Sequence, residues 1–145
     1  MHILIPQDIV EHLIKLSASY SPREICGIFT GRHNSDTDVT KINNFHWIPN
    51  ISSEPGQWDY LMEPQAMGDI YYSFSNNDKV KIVGIFHSHP NGYAYPSKMD
   101  INAAIQANQH IPYIIWSPLD YIRAWDLVGM VTTPGSIKEF IWEQV

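Results

Sequence analysis

Apolar residues recur along the chain with two periods, and the switches between them lay out the elements. Ile9, Val10, Leu13 and Ile14 follow Pro6 at helical intervals, and a proline suits a first helical turn because its missing N–H has no partner there. The run stops at Ser19-Tyr20-Ser21-Pro22, so the spacing predicts a first helix between these two breakers. Ile25 to Thr30, ending at Gly31, and Val39 to Ile48 read as strands joined across the polar turn Arg32 to Asp36, a hairpin. Pro64 opens a second helix whose Met67, Ile70, Tyr71 and Phe74 fall at i, i+3, i+4 and i+7 before the Asn76-Asn77-Asp78 stop. Val80 to Phe86 is a near-continuous apolar run, as in a central strand covered on both faces, and it enters His87-Ser88-His89-Pro90 directly. After a loop from Asn91 to Pro96, a third helix runs from about Ser97 to Gln109 with Ile101, Ala104 and Ile105 on one face. Tyr113 to Trp116, Tyr121 to Trp125, Gly129 to Thr132 and Ile137 to Trp142 predict closing strands. The pattern is α/β or α+β with a mixed sheet, and 145 residues are the length of one domain, spanning 1–145.

Composition narrows the function classes. With 44% apolar and 17% charged residues the chain resembles neither a disordered segment nor a coiled coil. Its formal net charge of -6 has the wrong sign for neutralising phosphates, which argues against nucleic acid as a partner. One cysteine, Cys26, excludes an intrachain disulfide and a multi-cysteine metal cluster, and fits a reducing compartment. The N-terminal stretch lacks a basic start and breaks its apolar run with Pro6, Asp8, Glu11 and His12, so it reads as neither signal peptide nor membrane span. The expectation is a soluble, cytoplasmic protein.

Chemistry concentrates between residues 87 and 100. On a strand, residues i and i+2 face one side with roughly 6 to 7 Å between Cα atoms, so His87 and His89 can close on one ion. Asp100, in the first turn of the next helix, is brought back by a connection containing Pro90, Gly92 and Pro96. Two histidines and one carboxylate leave a fourth tetrahedral position open, the arrangement of hydrolytic rather than structural zinc sites. Other readings stand beside this one. A His-x-His pair also serves ordinary hydrogen bonding, and Ser97-Lys98-Met99-Asp100 is a helix N-cap pattern; spacing alone leaves metal binding and capping both open, and they are compatible. Cys26 sits inside an apolar strand beside Gly27 and reads as a small buried hydrophobe rather than a nucleophile. Trp47, Trp58, Tyr60, Trp116, Trp125 and Trp142 read as core or rim packing, and His46 and His110 as packing or hydrogen bonding.

His87-Ser88-His89-Pro90, six residues, Ser97, two residues and Asp100 together resemble the signature H-[S/T]-H-P-x6-S-x2-D of the JAMM (MPN-plus) zinc metalloprotease family, without a gap. Pro22 to Gly31, with Glu24 ahead of Cys26-Gly27, is similar to the family's upstream segment, and the order of elements is similar over nearly the whole chain. The resemblance implies a curved mixed sheet flanked by helices, of the cytidine deaminase-like kind. It implies one zinc held by His87, His89 and Asp100, Glu24 as general acid and base, and Ser97 as hydrogen-bond donor to the oxyanion. Spacing does not select Glu24. Tyr93 and Tyr95, in the loop between the ligands, are expected to line the mouth as substrate contacts.

By the same resemblance the expected reaction is hydrolysis of a peptide or isopeptide bond next to the Gly-Gly tail of a ubiquitin-like or sulfur-carrier protein. The chain is similar to the compact, standalone form of the family, with Ile51 to Tyr60 as a candidate wall of the tail groove. Two other classes compete: a catalytically silent MPN-type binding module, and a non-haem iron oxygenase built on two histidines and a carboxylate. The first is disfavoured because Glu24, His87, His89, Ser97 and Asp100 are all present, and the second gives Glu24 and Ser97 no task.

Overall fold

The computed structural model describes residues 1–53, 59–128 and 138–145. In chain order the elements are β1 (His2–Ile5), α1 (Gln7–Tyr20), β2 (Cys26–Asn34), β3 (Val39–Ile48), α2 (Pro64–Phe74), β4 (Lys81–Ser88), α3 (Lys98–Ala107), β5 (Tyr113–Ser117), β6 (Tyr121–Trp125) and β7 (Glu139–Gln144). The strands join in the order β1-β3-β2-β4-β5-β6-β7 and the sheet closes on itself into a barrel. The mixed α/β class is as the apolar pattern predicts, with β1 parallel to both β3 and β7, β4 parallel to β5, and the remaining neighbours antiparallel. Closure goes beyond the expected curved sheet.

Closure depends on β1, which the sequence pattern does not announce. Four residues hold only two alternations, with Ile3 and Ile5 buried, and the strand exists because long-range partners lie on both sides of it. Beyond Gly31 the polar Arg32-His33-Asn34, expected in the turn, continues β2 as the exposed arm of the hairpin after a register shift at Thr30/Gly31. The third helix begins and ends within two residues of expectation, with Ser97 as its N-cap and Asn108 in the left-handed region closing it. Ala104 is its buried contact, whereas Ile105, expected on the same face, is exposed. The expected strand Gly129 to Thr132 and the start of the last strand at Ile137 lie outside the described residues.

Side chains alternate across the strands and build two apolar layers. Phe29, Phe86 and Ile114 point toward α1, where Ile9, Val10 and Leu13 meet them, and Phe45 packs its ring edge-on to that of Phe86. Ile28, Ile85 and Ile115 point the other way, toward α2 and α3. Burying one such side chain contributes about 1.5–3 kcal/mol. Gly27 permits this closeness, since a Cβ there would overlap the Phe45 ring and the His46 carbonyl. The register then places His87 opposite Cys26 on β2 and Ile115 on β5, two residues on from Ile85 and hence on the α2/α3 face. The chemistry of the chain therefore gathers where β2 begins and β4 ends. Among the described residues no helix is long and apolar enough to cross a membrane.

Candidate metal centre

His87 is the penultimate residue of β4, and its ring is fully buried. His89 lies just beyond the strand but is still held in line, because its N–H donates to the Trp116 carbonyl on β5 (2.8 Å). The loop that follows is tied down by the β5–β6 hairpin. Ser117 Oγ donates to the Gly92 carbonyl, the Ala94 N–H donates to Asp120 Oδ1 (2.6 Å), and Trp125 Nε1–H donates to the Ala94 carbonyl (2.8 Å). That loop delivers Ser97 and Asp100 to the first turn of α3 as a capping box. The Asp100 N–H donates to Ser97 Oγ (3.1 Å) and the Ser97 N–H to Asp100 Oδ2 (2.8 Å). Capping and convergence on the histidines thus use the same carboxylate.

Three side-chain atoms meet at one point. His87 Nε2 and His89 Nε2 are 3.0 Å apart, and each faces Asp100 Oδ2, at 3.1 Å and 3.2 Å. His89 Nδ1–H donates to the Tyr93 carbonyl (2.8 Å), which leaves Nε2 of the neutral ring as a lone pair aimed at the carboxylate. Tetrahedral zinc ligands at 2.0–2.1 Å stand about 3.3 Å apart, so the spacing and the donor set fit such an ion. Electrostatics agree. Burial opposes ionisation of Asp100, but the adjoining His87, hydrogen bonds from both histidines and the Ser97 N–H outweigh it and hold the carboxyl well below its usual range. Burial would lower the pKa of His89, yet the contact with Asp100 and the Tyr93 carbonyl prevails and raises it.

Glu24 joins from the start of β2 and can share a cation with the two histidines, the ligand atoms of the three residues lying within 4.8 Å of one another. Asp100 makes the closer approach, and Glu24 stands off it with Oε1 buried and without a hydrogen-bond partner among the described residues. Burial pushes its carboxyl up to about 8; His89 opposes the shift, while Asp100 and Asp59 add to it. Two side chains that sequence reasoning assigned no task hold Glu24 in place. Ser88 Oγ accepts from the Ile25 N–H (2.9 Å), locking the Glu24 segment to the end of β4. Asn50 Nδ2 donates to the Glu24 carbonyl (3.0 Å) and reaches the Asp59 carbonyl (3.4 Å), and its Oδ1 accepts from the Ser52 and Leu61 N–H groups. Ser88 was visible within the His-Ser-His-Pro string, whereas nothing local marks Asn50.

A cleft of about 270 Å³ is lined by Glu24, His89 and Ser97 together with Tyr93 and Tyr95. Tyr93 is well exposed and contributes its carbonyl to His89, while Tyr95 packs edge-on against Trp125. A second groove, about 530 Å³ and mostly apolar, lies between α2 and α3 and is lined by Met62, Met67 and Met99 together with Tyr60 and Asp100. Of the expected groove wall Ile51 to Tyr60, residues 54–58 lie outside the described residues; Ile51 is exposed and Tyr60 stacks on His87. Cys26 is fully buried and its Sγ–H donates to the Ile48 carbonyl (3.4 Å). Burial and then Glu24, against Arg23, push its thiol up to about 12, far from a reactive thiolate.

The family described as prokaryotic homologs of the JAB domain matches residues 6–128. The chain is 27% identical over 135 residues to the CysO-cysteine peptidase of Mycobacterium tuberculosis, covering 90% of this chain and 86% of that protein. It is 27% identical over 121 residues to the desampylase of Haloferax volcanii, covering 83% and 81% of the two chains. It is 26% identical over 123 residues to a probable TtuB-protein conjugate cleaving protease of Thermus thermophilus, covering 85% and 74%. A solution structure of a protein from Desulfitobacterium hafniense shares the fold with a TM-score of 0.78 at 20% identity, covering 99% of this chain and 92% of that one. The matched span contains every strand and loop that builds the candidate centre, and the chain belongs to the prokaryotic JAB-domain family.

Proposed function

We propose that the chain is a zinc-dependent metalloprotease of the JAMM type, one domain over 1–145, that hydrolyses a peptide or isopeptide bond beside the Gly-Gly tail of a ubiquitin-like or sulfur-carrier protein. The observation that carries this reading is the meeting of His87 Nε2, His89 Nε2 and Asp100 Oδ2 within 3.2 Å, with Glu24 beside them, its Oε1 without a hydrogen-bond partner among the described residues. Zinc bound by His87, His89 and Asp100 would supply Lewis acidity, acidifying water and polarising a carbonyl, and its charge would favour the ionised form of Glu24. Glu24 Oε1, with no competing hydrogen bond among the described residues, takes the proton of the attacking water and returns it to the leaving amine. Ser97 Oγ already accepts from the Asp100 N–H, so its own proton is available to the tetrahedral oxyanion, a role whose removal costs about 3–4 kcal/mol in other hydrolases. One cleft borders Glu24, His89 and Ser97, and the other borders Asp100. They suit an extended substrate whose tail lies between α2 and α3 and whose leaving group lies under Tyr93 and Tyr95. The names of the relatives, a CysO-cysteine peptidase, a desampylase and a probable TtuB-protein conjugate cleaving protease, support a small carrier protein as the substrate.

The test is metal content of untagged protein together with turnover of a carrier conjugate ending in Gly-Gly. Wild type is expected to hold about one zinc and to cleave, His89→Ala to lose both, and Glu24→Gln to keep the metal and lose turnover. Iron in place of zinc, or unchanged cleavage by Glu24→Gln, would overturn the mechanism.

A further inference from the structure

We propose that Tyr60 is the positioning residue for His87, its ring taking the place of the hydrogen bond that ordinarily fixes a metal-binding imidazole. The inference rests on the metal-site reading above. A ligating histidine almost always donates its second ring N–H to a carboxylate, a carbonyl or a water, and this fixes both tautomer and ring angle. His89 follows the rule through the Tyr93 carbonyl. His87 does not: its Nδ1 is buried and has no hydrogen-bond partner among the described residues. The torsion that turns an imidazole about its Cβ–Cγ bond is broad, so a ring without that hydrogen bond is held only by what lies against its faces. On His87 that is Tyr60, stacked with ring centroids 4.5 Å apart and planes 25° from parallel, while the His89 ring meets it edge-on at 4.8 Å.

The stack does two things for the centre. It blocks the rotation that would carry His87 Nε2 off Asp100 Oδ2, and it lays an electron-rich ring face against an imidazole that bears positive charge when Nε2 binds a cation. Tyr60 also lines the groove between α2 and α3, as Asp100 does. Its own position is set from both sides. Asn50 binds the Asp59 carbonyl and the Leu61 N–H, and the Ile51 N–H donates to the Leu61 carbonyl (2.9 Å). Stacking needs the ring and not the hydroxyl, which separates this role from a catalytic phenol.

Competition against a chromophoric chelator, with the unfolding midpoint of each metal-free protein measured alongside, tests the assignment. Tyr60→Phe is expected to bind zinc within about twofold of wild type, and Tyr60→Leu to bind about 10- to 100-fold more weakly, the range seen when a ligand's supporting partner is removed. Equal affinity of wild type and Tyr60→Leu, or a Phe variant as weak as Leu, would overturn the role of Tyr60. Should the Leu variant fail to fold, the wild type decides by NMR. Contacts between the Tyr60 and His87 ring protons are expected with and without zinc, and their loss on zinc binding would overturn the proposal. A wild type that takes up no metal would instead remove the metal-site reading, so the two failures are distinguishable.

Discussion

Glu24 enters the fold as an acid surrounded by buried groups, and a pH dependence of stability follows from that placement. Its ordinary carboxyl value is 4.5 and burial raises it to about 8 in the folded, metal-free protein. Below pH 4.5 both states are protonated and the shift has no effect. Between pH 4.5 and 8 the unfolded chain ionises first, so Glu24 progressively destabilises the fold, and the loss is complete above pH 8. Glu24→Gln removes this titration. The metal-free variant should match wild type near pH 4.5 and exceed it by roughly 2–4 kcal/mol at pH 8.5, read by urea unfolding across the range. Parallel stability curves would show that Glu24 is solvated. A base kept in a destabilising position, its Oε1 without a hydrogen-bond partner among the described residues, is a feature that folding alone does not reward, and that is why burial bears on its function.

At the scale of elements, the centre is two pieces held together by side chains. The β4–loop–α3 piece was legible because its residues are contiguous: an apolar strand ends in His87-Ser88-His89-Pro90, and Ser97 with Asp100 spells a capping box that the structure contains. The Glu24 piece was not legible from spacing, since it reaches the histidines only through the β2–β4 register and the Ser88 hydroxyl, 63 residues away in sequence. Asn50 and Tyr60 were hidden for the same reason. Their partners lie across the fold, and a lone Asn or Tyr in a polar stretch carries no period. Asn50→Ala would leave the Leu61 N–H and the Glu24 carbonyl without their present partner. It should cost about 1–3 kcal/mol in the metal-free protein, and a urea midpoint equal to wild type would show that Asn50 is not the clamp.

On the scale of the whole molecule, closure rests on its two ends lying side by side. β1 runs between β3 and β7, the Gln7 N–H donates to the Val145 carbonyl (3.0 Å), and the Val145 N–H donates to the Ile5 carbonyl (3.0 Å). Removing 139–145 would strip a neighbour from both β1 and β6 and expose two strand edges at once. Size-exclusion chromatography should then show self-association and a lowered unfolding midpoint; a monomer of unchanged midpoint would mean that β7 is dispensable. None of the ligand-bearing elements is part of this seam, which β1 and β7 form, and Glu24 to Asp100 all precede β5 in the chain. During synthesis the sealing strand leaves the ribosome after every residue of the centre, so the nascent chain carries a full ligand set while its shell is still ajar.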